Sequence, residues 1–195
     1  MGLVELLVTV AIALGVAFLV ETFVVKPYRI PTGSMIPTLA LGQRILVNRL
    51  ATHPGLGDIV VFHPPAGANK VLGAQCGDPQ QGPGNAQPCD DATPLASNQT
   101  FVKRVVGLPG DTLKIGDGDV YRNGVREVGA YIQPCTEPSA CTFRRAIVVP
   151  KGAYYMMGDN RGDSDDSRYW GPIRQSWIIG TAFFTYWPPS RIGTL

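Results

Sequence analysis

The stretch VYRNGVREVGAY, residues 120–131, sets Asn123-Gly124 between two β-prone runs. Asn-Gly accepts positive φ at both central positions of a tight type I′ turn, so the pattern predicts a hairpin joining residues 120–122 to 125–131. Outward from this hairpin, short β-like runs separated by turn residues fall at 44–50, 58–63, 100–106, 142–149, 153–157 and 177–187. The chain of 195 residues contains 23 Gly and 17 Pro. Both residue types penalise helix interiors, so the composition favours a mainly β architecture with few helices. A length of this size accommodates one domain with an appendage.

The appendage is the N-terminus. Residues 6–20 contain no charge, and across Glu21 the apolar run continues to Val25. About twenty residues at ~1.5 Å each match the ~30 Å core of a bilayer, which predicts a transmembrane anchor over 1–25 and leaves 26–195 as the folded domain. Residues 1–5 hold no Lys or Arg, unlike the basic start of a cleavable signal peptide. Lys26 and Arg29 follow the apolar run, and the positive-inside rule alone would put the domain in the cytoplasm.

The cysteines argue for the other side. Cys76, Cys89, Cys135 and Cys141 include no C-x-x-C pair, and with only His53 and His63 beside them a zinc site is disfavoured. Three pairings are possible. The local one, Cys76 with Cys89 and Cys135 with Cys141, closes short loops most easily, and two disulfides imply an extracytoplasmic compartment. Residues 66–98, rich in Gly, Pro, Gln and Asn around the first pair, read as a surface insertion stapled by one bridge. A net charge of +2 provides no footprint for nucleic acid.

Three segments carry candidate chemistry. His53 lies in a Pro-Gly turn and His63 ends a strand-like run, so a Ser-His-Asp triad has weak support. A serine nucleophile needs another base, and a lysine serves if burial disfavours its ammonium form. Lys103 lies within FVKRVV, residues 101–106, on the same strand face as Phe101 and Val105. Alternation also permits the opposite face, bearing Val102, Arg104 and Val106, to be the buried one. Ser34 stands in IPTGSMIPTL, residues 30–39, where Pro and Gly fix a turn that can present one hydroxyl while a backbone N–H and the Thr32 hydroxyl face the same space. MGDNRGDSDDSRYWGP, residues 157–172, lacks the spacing of a calcium loop, and its arginines neutralise its carboxylates, so it reads as a hydrogen-bonded network.

Taken together, PTGSMIPTL, GDIVVFHPP, FVKRVVGLPGDTL and MGDNRGDSDDSRYWGPI, in this order and spanning residues 26–187, resemble the type I signal (leader) peptidases, membrane proteases with a Ser/Lys dyad. The resemblance implies a transmembrane helix followed by an antiparallel β-sheet and barrel domain on the extracytoplasmic side of the plasma membrane. It implies Ser34 as nucleophile, Lys103 as general base, and an oxyanion hole of the Ser34 N–H and Thr32 hydroxyl. Ser164 would orient the lysine, with Asp166 and Arg168 bracing that loop. An extended substrate would meet shallow pockets walled by Ile30, Pro31, Met35, Leu39, Phe101 and Val102. Cys135–Cys141 is similar to a disulfide in some members. No cofactor is implied, and the expected partners are preprotein signal peptides, the lipid bilayer and, transiently, the secretion translocon, with the enzyme acting as a monomer. Two alternatives remain open, an inert membrane-anchored β-binding module and a different Ser/Lys processing peptidase.

Overall fold

The computed structural model describes residues 2–68, 76–82, 87–137 and 141–195, with only the backbone described at positions 17, 20 and 22. The chain begins with helix α1, Leu3–Phe23, and turns at once into strand β1, Val25–Arg29. Over the described side chains alone, no helix is long and apolar enough to cross a membrane. Strands β2 (Arg44–Asn48), β3 (Ile59–Phe62) and β4 (Phe101–Gly107) are followed by β5 (Thr112–Gly116), β6 (Asp119–Arg122), β7 (Val125–Arg126) and β8 (Ile147–Val148). Then come β9 (Ala153–Met157), the short helix α2 (Ser167–Trp170), β10 (Ile173–Arg174), β11 (Ile178–Trp187) and β12 (Gly193–Thr194).

Two sheets result. The larger runs β1-β2-β11-β3-β4-β9-β10 with β12 also on β11, and the smaller runs β7-β6-β5-β8. The pairings are antiparallel throughout. The Asn123-Gly124 hairpin forms as its chemistry requires: φ is 52° at Asn123 and 85° at Gly124, and Arg122 pairs with Val125. Its second strand ends at Arg126, short of the expected Tyr131. A second turn of the same kind, with positive φ at Asp117 and Gly118, joins β5 to β6, and β5 was not expected. Of the run 142–149 only Ile147–Val148 pairs as a strand.

Strand β4 explains why alternation left two faces open. Val105 packs with Val60, Phe62, Met156 and Trp170, whereas Val106 packs with Leu113, Ile115, Tyr155 and Met157. Val102 lies against a third cluster containing Ile30, Met35, Leu39 and Ile45. The strand therefore has core on both faces, and Lys103 and Arg104, on opposite faces, are both buried. Each fully buried aliphatic side chain here contributes about 1.5–3 kcal/mol.

The cysteines stand as Cys76–Cys89 and Cys135–Cys141, with Cα atoms 5.6 and 6.5 Å apart. The 66–98 insertion departs from the expected surface loop. Ala68 belongs to the core cluster around Trp170, and Cys89 is fully buried and donates its N–H to the Arg168 carbonyl at 3.0 Å. Gly171, with φ of 89°, approaches the backbone of Asp91 and Ala92 and the Cys89 sulfur so closely that a Cβ there would collide. The insertion packs on α2 because small residues on both sides permit backbone contact. Positions 69–75 and 83–86 of it lie outside the described residues.

Candidate active site

Ser34 and Lys103 come together from 69 residues apart. Lys103 Nζ donates to Ser34 Oγ at 2.6 Å, and the two residues retain 4% and 8% exposure. Thr32 Oγ1 lies 3.3 Å from Ser34 Oγ, and the Phe101 ring centroid is 5.8 Å from the ammonium. Burial removes water from the ammonium and lowers the Lys103 pKa to about 8, against the opposing pull of Asp166, Asp165 and Asp163, while Arg168 lowers it further. A lysine in this state is neutral often enough near pH 8 to accept a proton from the hydroxyl it faces.

The pair opens on a groove of about 650 Å³ between the end of β1 and the start of β4, lined by Ile30, Pro31, Met35, Phe101 and Val102 together with Asn98–Thr100 and the carboxylates of Asp163 and Asp165. Strand β9 begins its pairing with β4 only at Arg104, so Phe101–Lys103 are paired with β3 alone. Likewise β1 pairs with β2 alone. An extended peptide can therefore add as a strand between two backbone edges. Of the residues expected to wall the groove, Leu39 does not. It is fully buried behind it with Met35 and Ile45.

The 158–168 loop holds the Ser34 segment in place. Asn160 donates its backbone N–H to the Ser34 carbonyl at 3.1 Å and its amide to the Gly33 carbonyl at 3.4 Å. Gly158 abuts the Ser34 carbonyl and the Ser164 side chain, with no room for a Cβ. Asp166 caps α2, accepts from Gly158 N at 3.1 Å, and binds Arg168 Nε and Nη2 at 2.8 and 2.9 Å. Burial alone would raise the Asp166 pKa, but the Arg168 guanidinium holds it below the usual carboxylate range. Asp166 and Arg168 thus brace the loop. Ser164, expected to orient the lysine, makes no hydrogen bond to Lys103: its Oγ is buried without a hydrogen-bond partner, close enough to Asp166 to help keep that carboxylate ionised. Its side chain lies against Gly158 instead.

A second buried pair escaped the sequence reading. Arg104 donates to Asp159 from Nε and Nη2 at 2.8 and 2.7 Å, Asp159 also accepts from Thr38, and Arg104 Nη1 reaches the Gly57 carbonyl at 2.7 Å. The Tyr131 ring covers the guanidinium at 4.0 Å. Asp159 therefore ties the strand of Lys103 and the loop of Ser34 to a third segment. The signal for it was a polar pair, Asp159-Asn160, set one glycine beyond the mostly apolar run 153–157. Among the described residues no His, Cys, Asp and Glu cluster is able to hold a metal ion.

The family model described as signal peptidase, peptidase S26, matches residues 3–187, and the chain belongs to this family. A probable signal peptidase I-1 of Synechocystis is 39% identical, covering 94% of this chain and 82% of that protein. Signal peptidase I of Leptolyngbya laminosa is 33% identical over 99% and 84%, and signal peptidase IB of Staphylococcus aureus 32% identical over 97% and 92%. A crystal structure of a signal peptidase I from Enterococcus faecalis overlaps 67% of this chain and 97% of its own with 25% identity and a TM-score of 0.40, too loose for the two sites to be compared.

Replacing Asp159 with Asn removes the charge opposite a buried guanidinium, a change that costs about 3–5 kcal/mol when one partner of a buried pair is lost. Urea denaturation of Asp159→Asn checks this; a loss under about 1 kcal/mol would show the pair to be solvated in practice.

Proposed function

We propose that this chain is a membrane-anchored serine endopeptidase that removes signal peptides from exported preproteins through a Ser34/Lys103 dyad. The observation that carries the reading is the hydrogen bond between a buried, deprotonation-prone lysine and a serine hydroxyl at the head of an open-edged groove. In the mechanism, neutral Lys103 takes the Ser34 proton as Oγ attacks the scissile carbonyl. The resulting oxyanion is stabilised by the Ser34 N–H and the Thr32 hydroxyl. Lys103, now an ammonium, protonates the departing amine, and after deprotonating a water it directs hydrolysis of the ester on Ser34. An inert binding module has no use for burying an amine against this hydroxyl, since desolvating it is unfavourable without a compensating role.

Ser34→Ala removes the attacking atom. Lys103→Arg keeps the charge but installs a group that does not deprotonate. Both variants are expected to lose preprotein cleavage by at least ~10²-fold, the lower end of general-base contributions, with the fold retained by circular dichroism. Wild-type cleavage is expected to rise with pH through about 8, because Lys103 must be neutral to act. Near-normal turnover by Lys103→Arg defeats the dyad.

Specificity follows from strand addition. Alternate substrate side chains point the same way, so two pockets two residues apart select small groups in an A-x-A-like pattern. Ile30 and Met35, nearly fully buried, leave shallow apolar walls on one side, with Phe101 and Val102 on the other. Exchanging the final Ala of the signal peptide for Phe is expected to abolish processing in a preprotein assay; unchanged processing refutes the pocket assignment.

Anchoring rests on α1, whose 21 residues span about 32 Å as a helix and hold only Glu5 and Glu21 as charges. Leu7, Ile12, Leu14, Phe18 and Leu19 are all exposed, as lipid-facing residues are. Two disulfides favour the extracytoplasmic side over the orientation that Lys26 and Arg29 would give. Protease added outside sealed cells or right-side-out vesicles is expected to digest the domain, and a fully protected domain reverses the assigned topology.

A further inference from the structure

Around Lys103 the charges are unevenly matched. Arg104, its neighbour on β4, is neutralised by Asp159, and Asp166 on the adjoining loop is paired with Arg168. The residue opposite Lys103 on β3 is Val60, and the nucleophile loop presents only the hydroxyls of Ser34 and Thr32. Arg29 lines the groove near the end of β1. Two carboxylates remain, Asp163 and Asp165, both in the groove wall with Lys103, and neither accepts a hydrogen bond or joins an ion pair among the described residues. Both residues reach solvent.

We propose that Asp165 is a positioning residue whose carboxylate, in the wall of the groove that Lys103 enters, sets the pH at which Lys103 becomes a base. The proposal rests on the dyad reading above. Its physics is reciprocal: a carboxylate near an ammonium stabilises both ions, so the carboxylate delays the lysine's deprotonation. Asp165 and Lys103 line the same groove, so the coupling acts on both groups. Partial loss of solvent, reinforced by Asp166, lifts the Asp165 pKa to about 6, while Lys103 and Arg168 pull it down. Asp165 is in turn the second carboxylate, after Asp166, that holds the Lys103 ammonium. Asp166 has its charge offset by an ion pair with Arg168, whereas Asp165 joins no ion pair. Above pH 6 it is ionised, and in this range it keeps the base protonated to a higher pH than burial alone would. Asp163 acts in the same direction more weakly.

The experiment is the pH profile of kcat/KM for preprotein cleavage by the full chain in detergent, comparing wild type, Asp165→Asn and Asp165→Glu. Asp165 is exposed and makes no bond to the fold, so Asp165→Asn is expected to fold normally by circular dichroism. Removing the negative charge lowers the Lys103 pKa, so the acid limb is expected to move to lower pH by roughly half a unit, about a threefold gain below the limb. Asp165→Glu is expected to restore most of the wild-type position. Raising ionic strength is expected to move the wild-type limb toward that of Asp165→Asn, because salt screens an exposed charge. An unmoved limb, a limb moved upward, or a shift that Glu does not reverse overturns the proposal while leaving the peptidase reading intact. A wild type that cleaves at no pH removes the peptidase reading and this inference with it.

Discussion

The structure depends on keeping an amine out of water beside a hydroxyl. Lys103 contacts Ser34 at 2.6 Å in a place where its charged form is disfavoured. An isolated buried ammonium would unfold its surroundings or draw water in. Here the strand that carries it is covered on both faces by separate core clusters, so exposing Lys103 means breaking the sheet's packing as well. Much of the molecule serves to hold that environment around one nitrogen.

The buried ion pairs are best understood as locating devices. Taking two charges out of water is unfavourable enough that such pairs contribute uncertainly to net stability, yet each admits few geometries. Arg104 and Asp159 join β4, the Thr38 end of the Ser34 loop and the loop after β9. Asp166 and Arg168 join the start of α2 to Gly158, whose backbone touches Ser34. Asn160 closes the set by holding two consecutive carbonyls of the serine turn. Hydroxyl and amine are thus held from three segments distant in sequence.

The 66–98 insertion joins this scaffold from outside. It leaves β3, packs Ala68 beside Trp170, supports Arg168 through the Cys89 N–H, and returns as Asn98–Thr100 in the wall of the groove. A segment whose composition suits a solvated loop therefore touches both the brace and the mouth of the site. Small residues decide this, since Gly82 and Gly171 allow backbone to meet backbone where a Cβ would separate them.

The sequence by itself determined the mainly β architecture, the Asn123-Gly124 hairpin, the apolar N-terminal run and the candidate pair of Ser34 and Lys103. These are local matters of turn chemistry, glycine and proline content, and side-chain type. It did not determine which face of FVKRVV is buried, because strand alternation assumes one covered face and β4 has two. Nor did it disclose Asp159 against Arg104, separated by 55 residues, or Leu39 behind the groove and Ser164 turned toward Gly158. Hydrogen-bond partners and burial belong to the packed chain, where residues far apart in sequence share one dry space, and only tertiary structure decides which of them meet.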